Sequence, residues 1–273
     1  MRIIVTGGNS GVGKATAHAM ADAGHQVIIA CRTPTKAFEA AASMPGDVEV
    51  RELDLADLAS VRKFTDTVDY VDVLVNNAGV LGLPLTRTAD GFEAHMGTNH
   101  LGHFALTCLL GDRIRDRVVA VASTNYNTAR MHFDDLNYHH RRYNPWSAYG
   151  ESKLANLLFV RELVARGTTA YASDPGMTNT GITRNGSGAL QWAGRVLSPY
   201  IAQSPADGAR STIQAITTTL PNGTYIAPRG LMHQWGTPKS TKLKDKARDP
   251  ASARRLWEVS AELTGCQWQD GFS

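Results

Sequence analysis

The chain opens on an apolar strand that runs straight into a glycine-rich turn: Ile3-Ile4-Val5-Thr6, then Gly7-Gly8-Asn9-Ser10-Gly11-Val12-Gly13, then a helical stretch. A short run of β-branched residues with no polar alternation suits a strand buried on both faces, as in a parallel sheet. Glycines spaced Gly-x-x-x-Gly-x-Gly let the backbone approach a ligand where any Cβ would stand in the way. The following helix aims its unpaired N–H groups and positive end at the turn, which suits a pyrophosphate. The spacing is not the Gly-x-Gly-x-x-Gly of many dinucleotide-binding turns.

The same alternation continues along the chain. β-Branched runs predict strands at 3–6, 27–30, 48–53, 71–75, 118–122, 169–172 and 223–227. Helices are expected at 11–23, from Asp57, and at 148–166, 205–218 and 250–263. The first would pack through Val12, Ala15, Ala19 and Ala23, with Gly24 as its C-cap. The helix capped by Asp57 would turn Leu58, Val61, Phe64 or Thr65, and Val68 inward. Strands alternating with helices imply an α/β fold, a doubly wound parallel sheet with helices on both faces. With 273 residues and no internal repeat or linker, residues 1–273 read as one domain.

Composition excludes more than it selects. A net charge of +3, from 28 basic and 25 acidic residues, is too small and too scattered for nucleic acid. Basic stretches at 139–142 and 239–246 read as solvated loops. Three cysteines without a Cys-x-x-Cys pair argue against a disulfide framework and fit a reducing compartment. Met1-Arg2 leads directly into the first strand, and no apolar run reaches bilayer length, so a cytoplasmic location with no transmembrane segment is expected.

The end of the second strand should choose the cofactor. An acid there would hold a ribose 2′-hydroxyl, whereas an arginine accepts a 2′-phosphate. Residues 30–36 contain no acid. Arg32 is placed to meet the phosphate, with Ser10 and Lys36 as helpers, so NADP(H) is expected. Further on, Tyr149 and Lys153 are four apart and share one helix face. A neighbouring ammonium and an oxidised nicotinamide would favour the phenolate and move the phenol toward working range.

Thr6-Gly-x-x-x-Gly11-x-Gly13, Asn76-Asn77-Ala78-Gly79, Asn99, Ser123, Tyr149-x-x-x-Lys153 and Pro175-Gly176 stand in the order seen in short-chain dehydrogenases. The chain resembles that family, and residues 98–104 and 148–156 resemble its retinol dehydrogenase branch. The resemblance implies a Rossmann-type fold and an oxidoreductase that interconverts a carbonyl and an alcohol by hydride transfer. Tyr149 would be the general acid in reduction and the base in oxidation. Lys153 would hold the nicotinamide ribose, Ser123 the substrate oxygen, and Asn99 an ordered water in the proton relay.

The resemblance further assigns Gly7, Asn9, Ser10, Gly11, Val12, Gly13, Arg32, Asp54, Leu55, Asn77, Ala78, Gly79, Pro175, Gly176 and Thr180 to the cofactor. It implies an apolar carbonyl or alcohol as small-molecule substrate, of retinoid, steroid or polyketide type. Helices beginning near Thr98 and Ser147 form dimer faces in many relatives, which leaves a homo-oligomer open. The chain departs from the pattern where the usual Ser-Ser reads Ala122-Ser123, and where Ser173-Asp174 precedes Pro175, a place at which the branch often has His.

His95, His100 and His103 lack the further ligands a metal site needs, so packing or hydrogen-bonding roles are expected of them. Asp134 and Asp135 read as a solvated loop rather than a carboxylate pair. Between 189 and 202, Leu190, Ala193, Val196 or Leu197, and Tyr200 or Ile201 make an apolar stripe joined by Trp192. It reads as part of a substrate lid near 180–202, as core packing, or as a membrane-lying face. The alternative function is a catalytically idle NADP(H)-binding or sensing module, against which the presence of Asn99, Ser123, Tyr149 and Lys153 argues.

Overall fold

A computed structural model describes residues 1–178 and 203–268. Strand β1 (Arg2–Thr6) lies within the sheet, with Ile3, Ile4 and Val5 fully buried. It pairs in parallel with β2 (Gln26–Cys31) on one side and β4 (Val71–Asn76) on the other. Beyond β2 lies β3 (Val48–Glu52). Beyond β4 follow β5 (Ile114–Val121), β6 (Ala170–Ser173), β7 (Tyr225–Pro228) and β8 (Pro238–Thr241). The order is β3-β2-β1-β4-β5-β6-β7-β8, parallel throughout except for β8, which runs antiparallel to β7. The chain winds outward through β2 and β3, then returns to β4. A doubly wound sheet opens its ligand crevice at that reversal, above the carboxyl ends of β1 and β4.

Two helical layers cover the sheet. Ile3, Val5, Ile29, Val73 and Val75 face α1 (Gly11–Asp22), α2 (Pro34–Ala41) and α7 (Pro205–Thr217). Ile4, Ile28, Leu74 and Val118 face α3 (Leu58–Thr65), α5 (Gly102–Leu110), α6 (Pro145–Ala165) and α8 (Pro250–Thr264). Between β4 and α5 stand a single turn, α4 (Ala94–Met96), and a π-helical turn (Gly97–Leu101). Proline at the first turn begins α2, α6, α7 and α8, where its missing N–H costs nothing. The Asp57 carboxylate caps α3 by accepting from Ala59 N at 2.9 Å, and Asn144 caps α6 through Trp146 N and Ser147 N.

Several expectations are corrected. On α1 the buried residues are Val12, Gly13, Thr16, Ala17, Met20 and Ala21, while Ala15 and Ala19 are half-buried and Ala23 is exposed. Alanine is too small to mark a face, so Thr16 and Met20 on the sheet side were overlooked. β5 begins at Ile114, ahead of the expected 118, because Arg115, Asp116 and Arg117 disguise its start; Arg115 lies 3.8 Å over the Tyr70 ring. The region after Arg229, read as a loop, contributes edge strand β8.

In the 139–142 stretch His139, His140 and Arg142 are exposed as expected, but Arg141 is half-buried. Its guanidinium grips Glu151 through both Nη atoms, at 3.0 and 3.1 Å, and Glu151 is 2% exposed. Asp135 is likewise engaged, accepting from the backbone of His139, His140 and Arg141. The stripe at 189–202, the lid reading and Thr180 lie outside the described residues. Among the described residues no helix is long and apolar enough to cross a membrane.

Candidate active site

A cleft of about 850 Å³ opens above the carboxyl ends of the central strands. Its floor is the turn after β1. Gly7 and Gly11 hold φ of +65° and +54°, a left-handed conformation that side-chained residues rarely adopt. Gly13 has a different constraint: a Cβ there would lie 2.4 Å from Asn77 Nδ2 and 2.5 Å from Gly7 O, so the residue lets the turn close on β4. Ser10 makes no side-chain cap bond to α1, and the first turn of α1 carries no acid. The helix therefore presents its N-terminal N–H groups and positive end to the cleft.

Thr6 ties this turn to β4 and α5. Its Oγ1 accepts from Asn77 N and Ala78 N, both at 2.9 Å, and lies 2.8 Å from His103 Nε2. His103 Nδ1 is 3.0 Å from the Asn99 carbonyl, which can only accept. Nδ1 thus carries the proton and Nε2 accepts from the Thr6 hydroxyl. Burial holds His103 neutral by lowering its pKa to about 4. Asn99 is wholly buried: its Oδ1 accepts from Val80 N at 2.7 Å, and its Nδ2 donates to Val80 O and Ser152 Oγ.

At the inner end of the cleft, Tyr149 and Lys153 project from α6. Lys153 Nζ donates to Val121 O at 2.9 Å, a carbonyl that also accepts from Asn156 Nδ2 at 3.0 Å. Burial lowers Lys153 to about 8, while the charge of Asp174 works against that fall. The Tyr149 phenol is pushed above its ordinary value by burial; a hydrogen bond with Ser123 opposes the rise and Asp174 adds to it. The Lys153 ammonium stands 5.6 Å from the Tyr149 ring centroid and bonds to Val121 O. Gly79 keeps open the gap between Asn99 and Lys153: a Cβ there would lie 3.2 Å from Asn99 Oδ1 and 3.7 Å from Lys153 Nζ.

The expected residues separate into three groups. Gly7, Asn9, Ser10, Gly11, Val12, Gly13, Arg32, Asp54, Leu55, Asn77, Ala78, Gly79, Tyr149, Lys153 and Pro175 line the cleft. Asn99, wholly buried, stands behind its wall and is joined to it through Val80, while Ser123, half-buried, sits beside Tyr149. Gly176 is set by a different demand, because at its φ of +68° a Cβ would meet Gln234 O at 2.5 Å.

Other participants went unread in the sequence. Asn156 shares the Lys153 helix face at i+3, a signal that was available. Glu93 carried no such signal, while His95 takes the hydrogen-bonding and packing role expected of it. The buried Glu93 carboxylate accepts from His95 N, Met96 N and Tyr143, and bonds His95 Nδ1 at 2.8 Å. His95 in turn meets the Tyr149 ring edge to face. The remaining histidine, His100, pairs with Ser260 of α8 at 2.9 Å. Each histidine of this cluster therefore has a hydrogen-bonding partner of its own.

Comparison with known proteins agrees with this geometry. The family described as short chain dehydrogenase matches residues 1–189. This chain belongs to the short-chain dehydrogenase family. Mouse retinol dehydrogenase 12 is 40% identical to it over 287 residues, covering 98% of this chain and 87% of that protein. Human retinol dehydrogenase 13 is 38% identical, covering 97% and 85%. The crystal structure of an uncharacterized protein from Mycobacterium Paratuberculosis superposes with a TM-score of 0.85 at 42% identity, covering 98% of this chain and 94% of that one. The closed form of serine dehydrogenase complexed with NADP+ shares the fold, with a TM-score of 0.63 at 20% identity, covering 89% and 97%.

As a short-chain dehydrogenase of the retinol dehydrogenase branch, the protein is an oxidoreductase acting on CH–OH and C=O groups, and its family binds NAD(P). The residues present fit such a dinucleotide. The helix end without an internal cap suits the pyrophosphate, Asp54 and Leu55 line the wall beside it, and Lys153 and Tyr149 close the far end.

Proposed function

We propose that the chain is an NADP(H)-dependent reductase of apolar ketones or aldehydes, and an alcohol dehydrogenase in reverse, with Tyr149 as the group that transfers the proton. The observation that carries this reading is the two-ended cleft. One end offers cations beyond the pyrophosphate turn, and the other offers a phenol, a hydroxyl and a buried ammonium.

At the outer end, Arg32 follows the last residue of β2, and Lys36 and Lys14 line the same wall; Glu39 is the acid nearest to them along α2. Glu52, opposite Cys31 in the sheet register, does not line the cleft. A guanidinium and ammoniums without a carboxylate at the strand end favour a 2′-phosphate over a free 2′-hydroxyl. NADP(H), when bound, supplies or accepts the hydride.

The protein handles the proton. Ser123, already hydrogen-bonded to Tyr149, would hold the carbonyl oxygen as charge develops on it. The Tyr149 hydroxyl would then donate its proton to that oxygen. A phenol raised by burial is a reluctant donor alone, and the Lys153 ammonium on the same helix face stabilises the phenolate that forms. Asn99 fixes Val80 and the wall beside Gly79, which leaves the space between Asn99 and Lys153 open for proton exchange. In this reading residues 1–273 form one domain.

Loss of nicotinamide absorbance with a panel of aromatic, aliphatic and polycyclic carbonyls, with NADPH and NADH in parallel, tests the proposal. Turnover with NADPH that drops by at least about 1,000-fold in Tyr149→Phe is expected. Faster turnover with NADH would overturn the role of Arg32, and full activity of Tyr149→Phe would overturn the role of Tyr149.

A further inference from the structure

His103 of α5 is 2% exposed and does not line the cleft. It stands midway along a chain of buried hydrogen bonds. The chain begins in the cleft floor, where Asn77 N and Ala78 N donate to Thr6 Oγ1, both at 2.9 Å. The Thr6 hydroxyl donates to His103 Nε2 at 2.8 Å, and Val75 O, at 3.3 Å, is its longer alternative. His103 Nδ1 donates to the carbonyl of Asn99, in the π-helical turn, at 3.0 Å. From the same residue, Asn99 Nδ2 donates to Ser152 Oγ at 2.9 Å, and Ser152 Oγ donates to the Tyr149 carbonyl at 2.8 Å. Thr6, Asn99 and Ser152 are fully buried, so these bonds form in a low-dielectric interior where each is strengthened. Every donor points toward α6. A neutral imidazole with its proton on Nδ1 is the one form that both accepts from Thr6 and donates to Asn99.

We propose that His103 is a positioning residue that couples the cofactor seat to the proton-donating helix, through Thr6 on one side and Asn99 on the other. The inference rests on the proposed roles of Asn99, Tyr149 and the cleft. The Thr6 arm fixes the backbone of Asn77 and Ala78, which line the cleft. Ala78 lies close against the glycine turn, since a Cβ on Gly7 would stand 3.1 Å from its Cα. The Asn99 arm fixes the backbone that carries the Asn99 amide. That amide holds Val80 N at 2.7 Å and borders the gap to Lys153, where a Cβ on Gly79 would come within 3.2 Å of its oxygen. The two arms use different ring nitrogens. One side chain therefore keeps both ends of the site in register, and losing either bond lets one end shift while the other stays.

Two substitutions separate the arms. In His103→Gln the amide oxygen reaches the place of Nε2 and accepts from Thr6, while the bond to Asn99 is lost. In His103→Asn the shorter amide donates to Asn99 O from the place of Nδ1, and the Thr6 hydroxyl turns to Val75 O. Thr107 Oγ1 bonds the His103 carbonyl at 2.7 Å and accepts from Asn76 Nδ2 at 3.0 Å, which fastens this turn of α5 to β4 without the imidazole. His103→Gln should lower kcat by at least about tenfold while the Kd for NADPH changes far less. His103→Asn should do the reverse, weakening NADPH binding by about tenfold, the worth of one hydrogen bond, with a far smaller fall in kcat at saturating cofactor. Isothermal titration reads the Kd without turnover. Equal effects of the two variants on both quantities, or a fall in Tm with kcat and Kd unmoved, would make His103 a structural fastener and overturn the proposal. Should neither variant fold, the imidazole nitrogen NMR signals of the unaltered protein give the second test. The proton should sit on Nδ1, and the Nε2 signal should shift when NADP+ binds, although the ring does not line the cleft. A proton on Nε2 or an unshifted signal counts against the coupling. Full activity of Tyr149→Phe would instead sink the assignment of the proton donor while leaving the binding measurements untouched, which separates the two failures.

Discussion

At the scale of single residues, the sharpest test of cofactor preference is Arg32. It is exposed at the rim of the cleft, so its replacement should leave the fold intact. Arg32→Ala is expected to weaken NADPH binding by about 10- to 100-fold, the worth of a charge-assisted contact to a phosphate, while NADH binding changes little. Isothermal titration with both cofactors reads this directly. Gly79 offers a second test. A methyl group there would sit in tight contact with Asn99 Oδ1 and in the path to Lys153 Nζ. Gly79→Ala should therefore lower kcat by at least about tenfold with a much smaller change in Tm, because the one tight contact is with a side-chain oxygen rather than with backbone. Both residues were legible in the sequence, since each belongs to a short local pattern. Asp174 was noticed there only as a departure. Its partner Tyr225 is distant in the sequence and meets it only because β6 pairs with β7.

At the scale of elements, the junction of α5 with β1 and α8 holds two buried imidazoles. Burial is the main cause that lowers His100 from 6.5 to about 3 and His103 from 6.5 to about 4. The folded state therefore binds fewer protons than the unfolded state between those values and 6.5. Stability is fully present above pH 6.5 and is lost as the pH falls toward 4 and then 3, at about 1.4 kcal/mol per pH unit per group. Thermal melts across that range should show a falling Tm, with a shallower slope in His103→Gln. An equal slope in the variant would show that His103 does not titrate on unfolding. The π-helical turn (Gly97–Leu101) at this junction was invisible in the sequence, because nothing in a five-residue composition distinguishes it from ordinary helix.

At the scale of the whole molecule, α8 decides how much of the helical layer remains free. Trp257 of α8 lies edge-on to Phe104 of α5 at 4.9 Å and is stacked with Phe159 of α6 at 5.8 Å, with the Arg166 guanidinium over its ring. His100 bonds Ser260, and Arg62 reaches the Thr264 carbonyl. Helices α5 and α6 are thus packed against the chain's own C-terminal helix. Light scattering should accordingly give the mass of one chain, 29.5 kDa. Trp257→Ala, which costs about 3–5 kcal/mol of packing, should loosen α8 and produce larger species. A stable dimer of the unaltered chain would show that association uses another face.

The sequence by itself determined the parts of this protein that depend on neighbours along the chain. These are the glycine turn, which needs positive φ at Gly7 and Gly11, the β-branched strands, the Asp57 cap and the Tyr149–Lys153 spacing on one helix face. The backbone conformation of a few consecutive residues fixes each of them. Tertiary structure alone decided the rest. It turned α1 onto Thr16 and Met20, drew Arg141 inward to Glu151, and added β8 as an antiparallel edge. The physical reason is shared: burial and long-range pairing set these outcomes, and their energies depend on which distant groups the fold brings within a few ångströms.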